Sequence, residues 1–225
     1  MKLLPILESV LSVDKVYENI ETLMGEDYPP SFNMGEFKQL TSFDARTRYC
    51  ATHLKRISSG TSRIVYKIDD EKVLKLAYNK KGLAQNETEI GYSKEEMLSD
   101  LVARVYAYDQ NYKWSEMELA RKVNKPTFKN ITGLDWDVFV RVVDNYGKTY
   151  NNNSRKPHHE TKEESEMVWE NNFAYDVLQY IGNYSASSGD LCRLNSYGVV
   201  KRGGIDAIVL IDYGLNDDVY DSYYS

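Results

Sequence analysis

The sequence has little cysteine, histidine or proline, and each scarcity closes off a class of protein. Its two cysteines, Cys50 and Cys192, stand far apart with no Cys-x-x-Cys spacing and no Cys/His cluster, so neither a disulfide framework nor a zinc site is indicated. They read as two reduced thiols of a cytoplasmic protein. Five prolines and 13 glycines among 225 residues exclude collagen-like and proline-rich architectures. No apolar run approaches the roughly 20 residues that span a bilayer, which excludes a transmembrane helix. The opening MKLLPILESVLSV is interrupted by Glu8 and followed by no small-residue cleavage site, so it reads as a helix of the folded protein. There is also no excess of positive charge: 28 Lys and Arg stand against 34 Asp and Glu, a net charge of -6. Covering nucleic acid needs a concentrated basic surface, so no nucleic-acid partner is expected. What is present, 42% hydrophobic residues, is enough to bury a core.

The apolar pattern divides the chain. Residues 3 to 24 carry Leu3, Ile6, Leu7, Val10, Val13, Val16, Tyr17, Ile20, Leu23 and Met24 at steps of three and four, the period of an amphipathic helix. Gly25 to Asp44, with Pro29-Pro30, reads as a loop. From Thr52 onward HLKRI, RIVYKI and KVLKLAY read as strands, with a turn at Asp69-Asp70, and a helix is expected from Leu83 to Glu96. LVARVYAYD and KWSEMELA continue the strands. GLDWDVFVRVVDN reads as a helix, Tyr146 to Lys162 as a polar loop, and Glu163 to Tyr184 as one long helix with Met167 on its apolar stripe. GVV and AIVLIDYG form a late hairpin, and the tyrosine-rich tail reads as disordered. The expected class is α+β in two lobes with a cleft between them: a helical extension at 1–50, a sheet-rich lobe at 51–120 and a helical lobe at 121–225.

Four separated segments carry chemistry, and their order matters more than any one of them. SSGTSRIVY, laid on the Gly-rich nucleotide loop G-x-G-x-x-G-x-V of protein kinases, puts Ser58, Gly60, Arg63 and Val65 at the fixed positions. Small residues let backbone N–H groups approach phosphates, which Ser58 and Gly60 permit; Arg63 does not fit by size, although its cation suits phosphate. In KVLKLAY, Lys75 lies on an otherwise apolar strand, where a buried ammonium must be paired. Glu87 and Glu89 are the candidate partners: Glu87 sits nearer the stripe of Leu83, Ile90 and Met97, while Glu89 gives the less abbreviated spacing from Lys75 and is preferred. GDLCRLNSYGVV places Asp190 and Asn195 at the separation of the kinase catalytic loop H-R-D-L-x-x-x-N and of the H-G-D-L-H-x-x-N loop of aminoglycoside phosphotransferase-like enzymes, with Ser188 where the histidine stands. Finally, Asp212-Tyr213-Gly214 follows an apolar strand, as D-F-G does.

In this order the segments make the chain from Thr52 to Leu215 resemble a minimal protein-kinase-like fold. Eleven residues follow Gly214, so the implied C-lobe is truncated and lacks an activation segment and A-P-E motif. The resemblance implies ATP and Mg2+ as cofactors. Lys75, held by Glu89, would position the α- and β-phosphates; Asp190 would orient an acceptor hydroxyl; Asn195 and Asp212 would hold the metal. Met117 would stand near the gatekeeper place, with the backbone of Glu118 and Ala120 available to adenine. The acceptor is an unknown protein or small molecule. Two rivals accompany the phosphotransferase: a pseudokinase interaction module, and a kinase-like protein that moves a nucleotidyl group. His158-His159-Glu160 reads as a solvated loop, and Glu163, Glu164 and Glu166 as acids favoured at a helix start.

Overall fold

Alternation of side chains across a strand explains the sheet that forms one wall of the site. Strands β1 (Lys55–Ser59), β2 (Arg63–Lys67), β3 (Lys72–Ala77), β4 (Val105–Tyr108) and β5 (Trp114–Glu118) make an antiparallel sheet in the order β1-β2-β3-β5-β4. The computed structural model describes residues 28–150 and 156–223. The helix expected over residues 3 to 24 lies outside them.

On the outer face, Ile64, Tyr66, Leu74, Leu76 and Trp114 gather with Tyr28, Phe32, Phe37 and Cys50 into one apolar cluster. The inner face turns Val73 and Met117 into a second, larger core shared with the helices that follow. Burial on both faces is why KVLKLAY is nearly all apolar rather than alternating. The outer cover comes from two helices, α1 (Met34–Gln39) and α2 (Phe43–His53). They correct the expected loop over 25 to 44, and the signals were there: Asn33 accepts from Glu36 N–H and Ser42 from Ala45 N–H, each an N-cap. Tyr28 ties this cover to the sheet, its hydroxyl donating to Glu116 Oε1 at 2.8 Å.

After the Asp69-Asp70 turn, where Asp69 Oδ1 accepts from Glu71 and Lys72 N–H, β3 leads into α3 (Lys80–Tyr92), capped by Asn79. The expected strand over 101 to 109 is shorter at its start. Residues 101 to 103 instead bind the end of the late hairpin: Ala103 N–H donates to Leu210 O and Leu210 N–H to Leu101 O, both at 2.8 Å.

The second half holds β6 (Arg121–Lys122), α4 (Lys125–Thr132), α5 (Trp136–Tyr150), α6 (Lys162–Trp169), α7 (Asn172–Tyr184) and the single turn α8 (Ser188–Leu191). Strands β7 (Tyr197–Arg202) and β8 (Ile205–Leu210) then pair with β6 in a small antiparallel sheet. Gly203 and Gly204, with φ of 57° and 85°, form the two-residue turn of this hairpin. The single helix expected over 163 to 184 is two helices. Asn171 breaks it by capping α7, accepting from Ala174 N–H while donating to Thr132 O. Met167, expected on the apolar stripe, is 51% exposed. The start of α6 closes a capping box between Thr161 and Glu164, as its acidic run suggested. The tail corrects another expectation: Asp217–Tyr223 is a helix, α9, with Val219 buried. No helix among the described residues is long and apolar enough to cross a membrane.

Candidate functional site

A cleft of about 1490 Å³ is lined by residues of both sheets. Nine of the eleven residues singled out from sequence line it: Ser58, Gly60, Val65, Lys75, Glu118, Ala120, Asp190, Asn195 and Asp212. Of the other two, Glu89 lies behind Lys75 and Met117 sits in the core, 1% exposed, rather than on the cleft wall. Arg63, the misfit of the loop, also lines the cleft.

Local structure explains how each is held. Arg63, Val65 and Lys75 lie on one face because β2 and β3 pair with Val65 opposite Lys75. Arg63 opens β2, its carbonyl accepting from Gly60 N–H at 2.9 Å to close the β1–β2 hairpin. The hairpin is tied to α3 by a Ser62 hydroxyl donated to Gln85 Oε1. One turn further along α3, Glu89 faces inward and is fully buried, whereas Glu87 is exposed. Lys75 Nζ stands 2.9 Å from both Glu89 oxygens and donates to Ile211 O at 2.5 Å. An ammonium with three acceptors is the pairing that a buried lysine requires.

Glu89 serves more than Lys75. Its Oε1 accepts from Tyr213 N–H at 3.2 Å, and Arg63 NH1 lies 2.8 Å from Oε2 as an ion-pair contact without hydrogen-bond alignment. Arg63 NH2 donates to Asp212 Oδ1 at 2.5 Å. Lys75, Glu89, Arg63 and Asp212 thus form a continuous quartet of two cations and two anions. Arg63 is 7% exposed, but the Asp212 side chain is 63% exposed, opening toward the cleft. Tyr213 anchors the segment from beneath: its hydroxyl donates to Ala103 O at 3.0 Å, and its carbonyl accepts from the Tyr180 hydroxyl at 2.7 Å.

The electrostatics follow from burial set against these partners. Burial lowers the Lys75 pKa, and the neighbouring Arg63 charge adds to this against the opposing pull of Glu89. For Arg63 burial works against the cation, but Glu89 and Asp212 outweigh it and raise the pKa further. Asp212 is penalised by desolvation, yet the Arg63 and Lys75 cations hold its carboxyl below the usual range. Asp190 goes the other way: partial burial raises its pKa, Arg193 at 2.8 Å lowers it, and the Asp212 charge raises it. Its carbonyl accepts from the Ser196 hydroxyl, closing the loop that carries the exposed Asn195.

On the opposite rim, the segment after β5 is clamped. Arg202 donates to both oxygens of Glu118, at 2.5 and 2.8 Å. Glu118 N–H donates to Arg104 O, so that N–H is already committed. Gly198 allows β7 to pass beneath: a β-carbon there would lie 2.4 Å from Ala120 Cβ.

Lys75 and Arg63 stand at the cleft wall beside a short Ser/Gly hairpin, groups that can meet phosphate, and Glu89 and Asp212 balance their charge. The site does not suit a divalent ion as arranged. Asp212 Oδ1 already holds a guanidinium, and Asn195 adds only a neutral amide. The expected metal role of Asn195 and Asp212 therefore meets a competitor in Arg63, whose cation was expected to suit phosphate. Charge and position of Arg63 were legible, but its partner lies 149 residues away.

Comparison with family models and with curated proteins gives no match. Among solved structures, SAICAR-synthase from Saccharomyces cerevisiae, complexed with SAICAR, is similar at 12% identity over 73% of this chain and 74% of that one, with a TM-score of 0.34.

Proposed function

We propose that the cleft binds ATP in the manner of a protein-kinase-like fold and offers its terminal phosphate to a hydroxyl-bearing acceptor. The observation that carries this reading is the buried Lys75–Glu89 pair, whose ammonium reaches the cleft wall. Burying an ion pair costs several kcal/mol in desolvation, roughly offset at best by its own attraction, so its placement at a cleft favours a ligand role over simple stabilisation.

In this reading Lys75 neutralises the phosphate chain, the Ser58–Gly60 hairpin offers backbone N–H groups to it, and Val65 and Ala120 flank the base. Asp190 accepts the hydroxyl proton of the acceptor. Its raised pKa brings it closer to the neutral range in which a general base takes a proton and still remains ionised. Because the residues do not suit a divalent ion as arranged, no step is routed through one.

A second reading, a nucleotide-binding interaction module that transfers nothing, is favoured by the guanidinium on Asp212. Purified protein incubated with γ-labelled and, separately, α-labelled ATP, alone and with lysate, separates these. Label moving from the γ position in wild type but not in Asp190→Asn supports phosphoryl transfer; movement of the α label makes the transfer nucleotidyl. ATP binding without transfer of either label leaves the interaction module.

A further inference from the structure

Arg63 stands where two carboxylates and a ligand's phosphates would meet. It begins β2 at the hairpin, is 7% exposed, and touches both Glu89 and Asp212 with different nitrogens of one guanidinium. Three elements of the fold converge on it: the hairpin, helix α3 and the segment after β8. The Asp212 carboxylate, by contrast, is 63% exposed toward the cleft, so its charge would face any incoming polyphosphate. Two anions brought that close repel, and the usual remedy is a cation between them.

We propose that Arg63 is that cation: it occupies the place of a divalent metal, so that this site binds nucleoside triphosphate without one. The inference rests on the nucleotide reading above but not on phosphoryl transfer. The charge arithmetic supports it. Lys75 and Arg63 balance Glu89 and Asp212, leaving a neutral floor; without Arg63 the same floor carries a net negative charge that opposes phosphate until a metal is added. A guanidinium suits the task, since its planar fork spreads donors over two acceptors and keeps its charge when buried, whereas an ammonium is a point charge. Arg63 NH2 donates to Asp212 while NH1 lies against Glu89 as an ion-pair contact, so a carboxylate stands on each side of the guanidinium before any ligand arrives.

The test is calorimetric titration of the full chain with ATP, in excess magnesium and in excess EDTA. The wild type is expected to bind with nearly the same affinity in both. Arg63→Gly, which removes the cation and frees Asp212, is expected to lose about tenfold or more in EDTA and to recover with magnesium. Asp212→Asn covers the case in which Arg63→Gly does not fold: relieved of the anion, it is expected to bind ATP in EDTA at least as tightly as wild type. Wild-type binding that requires magnesium overturns the inference and leaves the nucleotide reading standing. Loss of EDTA binding in Asp212→Asn also overturns it. Absence of ATP binding under both conditions, in folded wild type, overturns both readings together.

Discussion

Gly214 and Gln85 meet backbone to backbone: a β-carbon on Gly214 would lie 2.4 Å from the Gln85 carbonyl oxygen and 3.0 Å from Glu89 Cγ. The glycine of the Asp-Tyr-Gly segment is therefore required by proximity, since its φ is not in the left-handed region. It lets the strand-ending carboxylate of Asp212 come within reach of α3 and of Arg63. Gly214→Ala is expected to destabilise the fold by about 1–3 kcal/mol, because neither backbone can yield cheaply. Gly91 in the same helix is the control. Nothing lies within 4 Å of a β-carbon there, so Gly91→Ala should stabilise by about 0.5–1 kcal/mol. Urea denaturation of both variants checks the pair, and equal effects would refute the close approach.

Glu89 and Glu87 separate as cleanly. Glu89→Gln keeps the shape but removes the charge that faces Lys75 and Arg63, leaving two buried cations with one fewer counter-charge. A loss of about 3–5 kcal/mol is expected, as when one member of a buried pair is removed. Glu87→Gln, on the exposed side of α3, should change stability by less than about 0.5 kcal/mol. Thermal melts at low and high salt check this. The Glu89 effect should persist in salt because the pair is buried, and a salt-sensitive effect would place the pair at the surface.

Much of this was written in local pattern. KVLKLAY shows its two buried faces as apolar residues at successive positions on either side of Lys75, and that lysine demands a partner on the next helix. Helix ends were less legible, although their signals were short-range. Asparagine caps α1, α3, α4 and α7 at Asn33, Asn79, Asn124 and Asn171. Apolar period alone runs α6 into α7 across Asn171, because the stripe on either side stays in approximate phase while the cap ends one helix and starts the next.

What the sequence did not disclose is long-range pairing. The Arg63–Asp212 and Arg202–Glu118 contacts join residues 149 and 84 apart, and no periodicity records them. The tail shows the same gap. Ala186 and Asn216 form a β-bridge, and Asn216 accepts from Val219 N–H, so tertiary anchoring makes a helix of a segment whose polar, tyrosine-rich composition reads as disorder.

The thiols are expected to be silent in the native protein. Burial pushes Cys50 up to about 12, partly opposed by Arg46; burial and the Asp144 charge push Cys192 to about 12. At pH 8 the reactive thiolate is then about a thousandfold scarcer than for a free cysteine. Iodoacetamide should label both residues readily in denaturant and slowly in the folded state, followed by mass spectrometry. Rapid native labelling of Cys50 would mean that α2 does not stay docked on the sheet.

Asp190 gives the sharpest pH signature. Partial burial raises its carboxyl, and the exposed Arg193 at 2.8 Å opposes that rise. Carbon-detected NMR of the aspartate carboxyls, assigned with Asp190→Asn, should show it titrating above the ordinary range of about 3.9. Arg193→Ala removes the opposing cation, so the midpoint should move upward again. The linked stability has a definite sign. A carboxyl that holds its proton more firmly folded than unfolded adds stability below its unfolded pKa, and that contribution is lost as pH rises through the raised folded value. Asp190→Asn should therefore remove this part of the pH dependence, making the variant relatively more stable above that window. A downward shift in Arg193→Ala would show that Arg193 does not act on Asp190 through its charge.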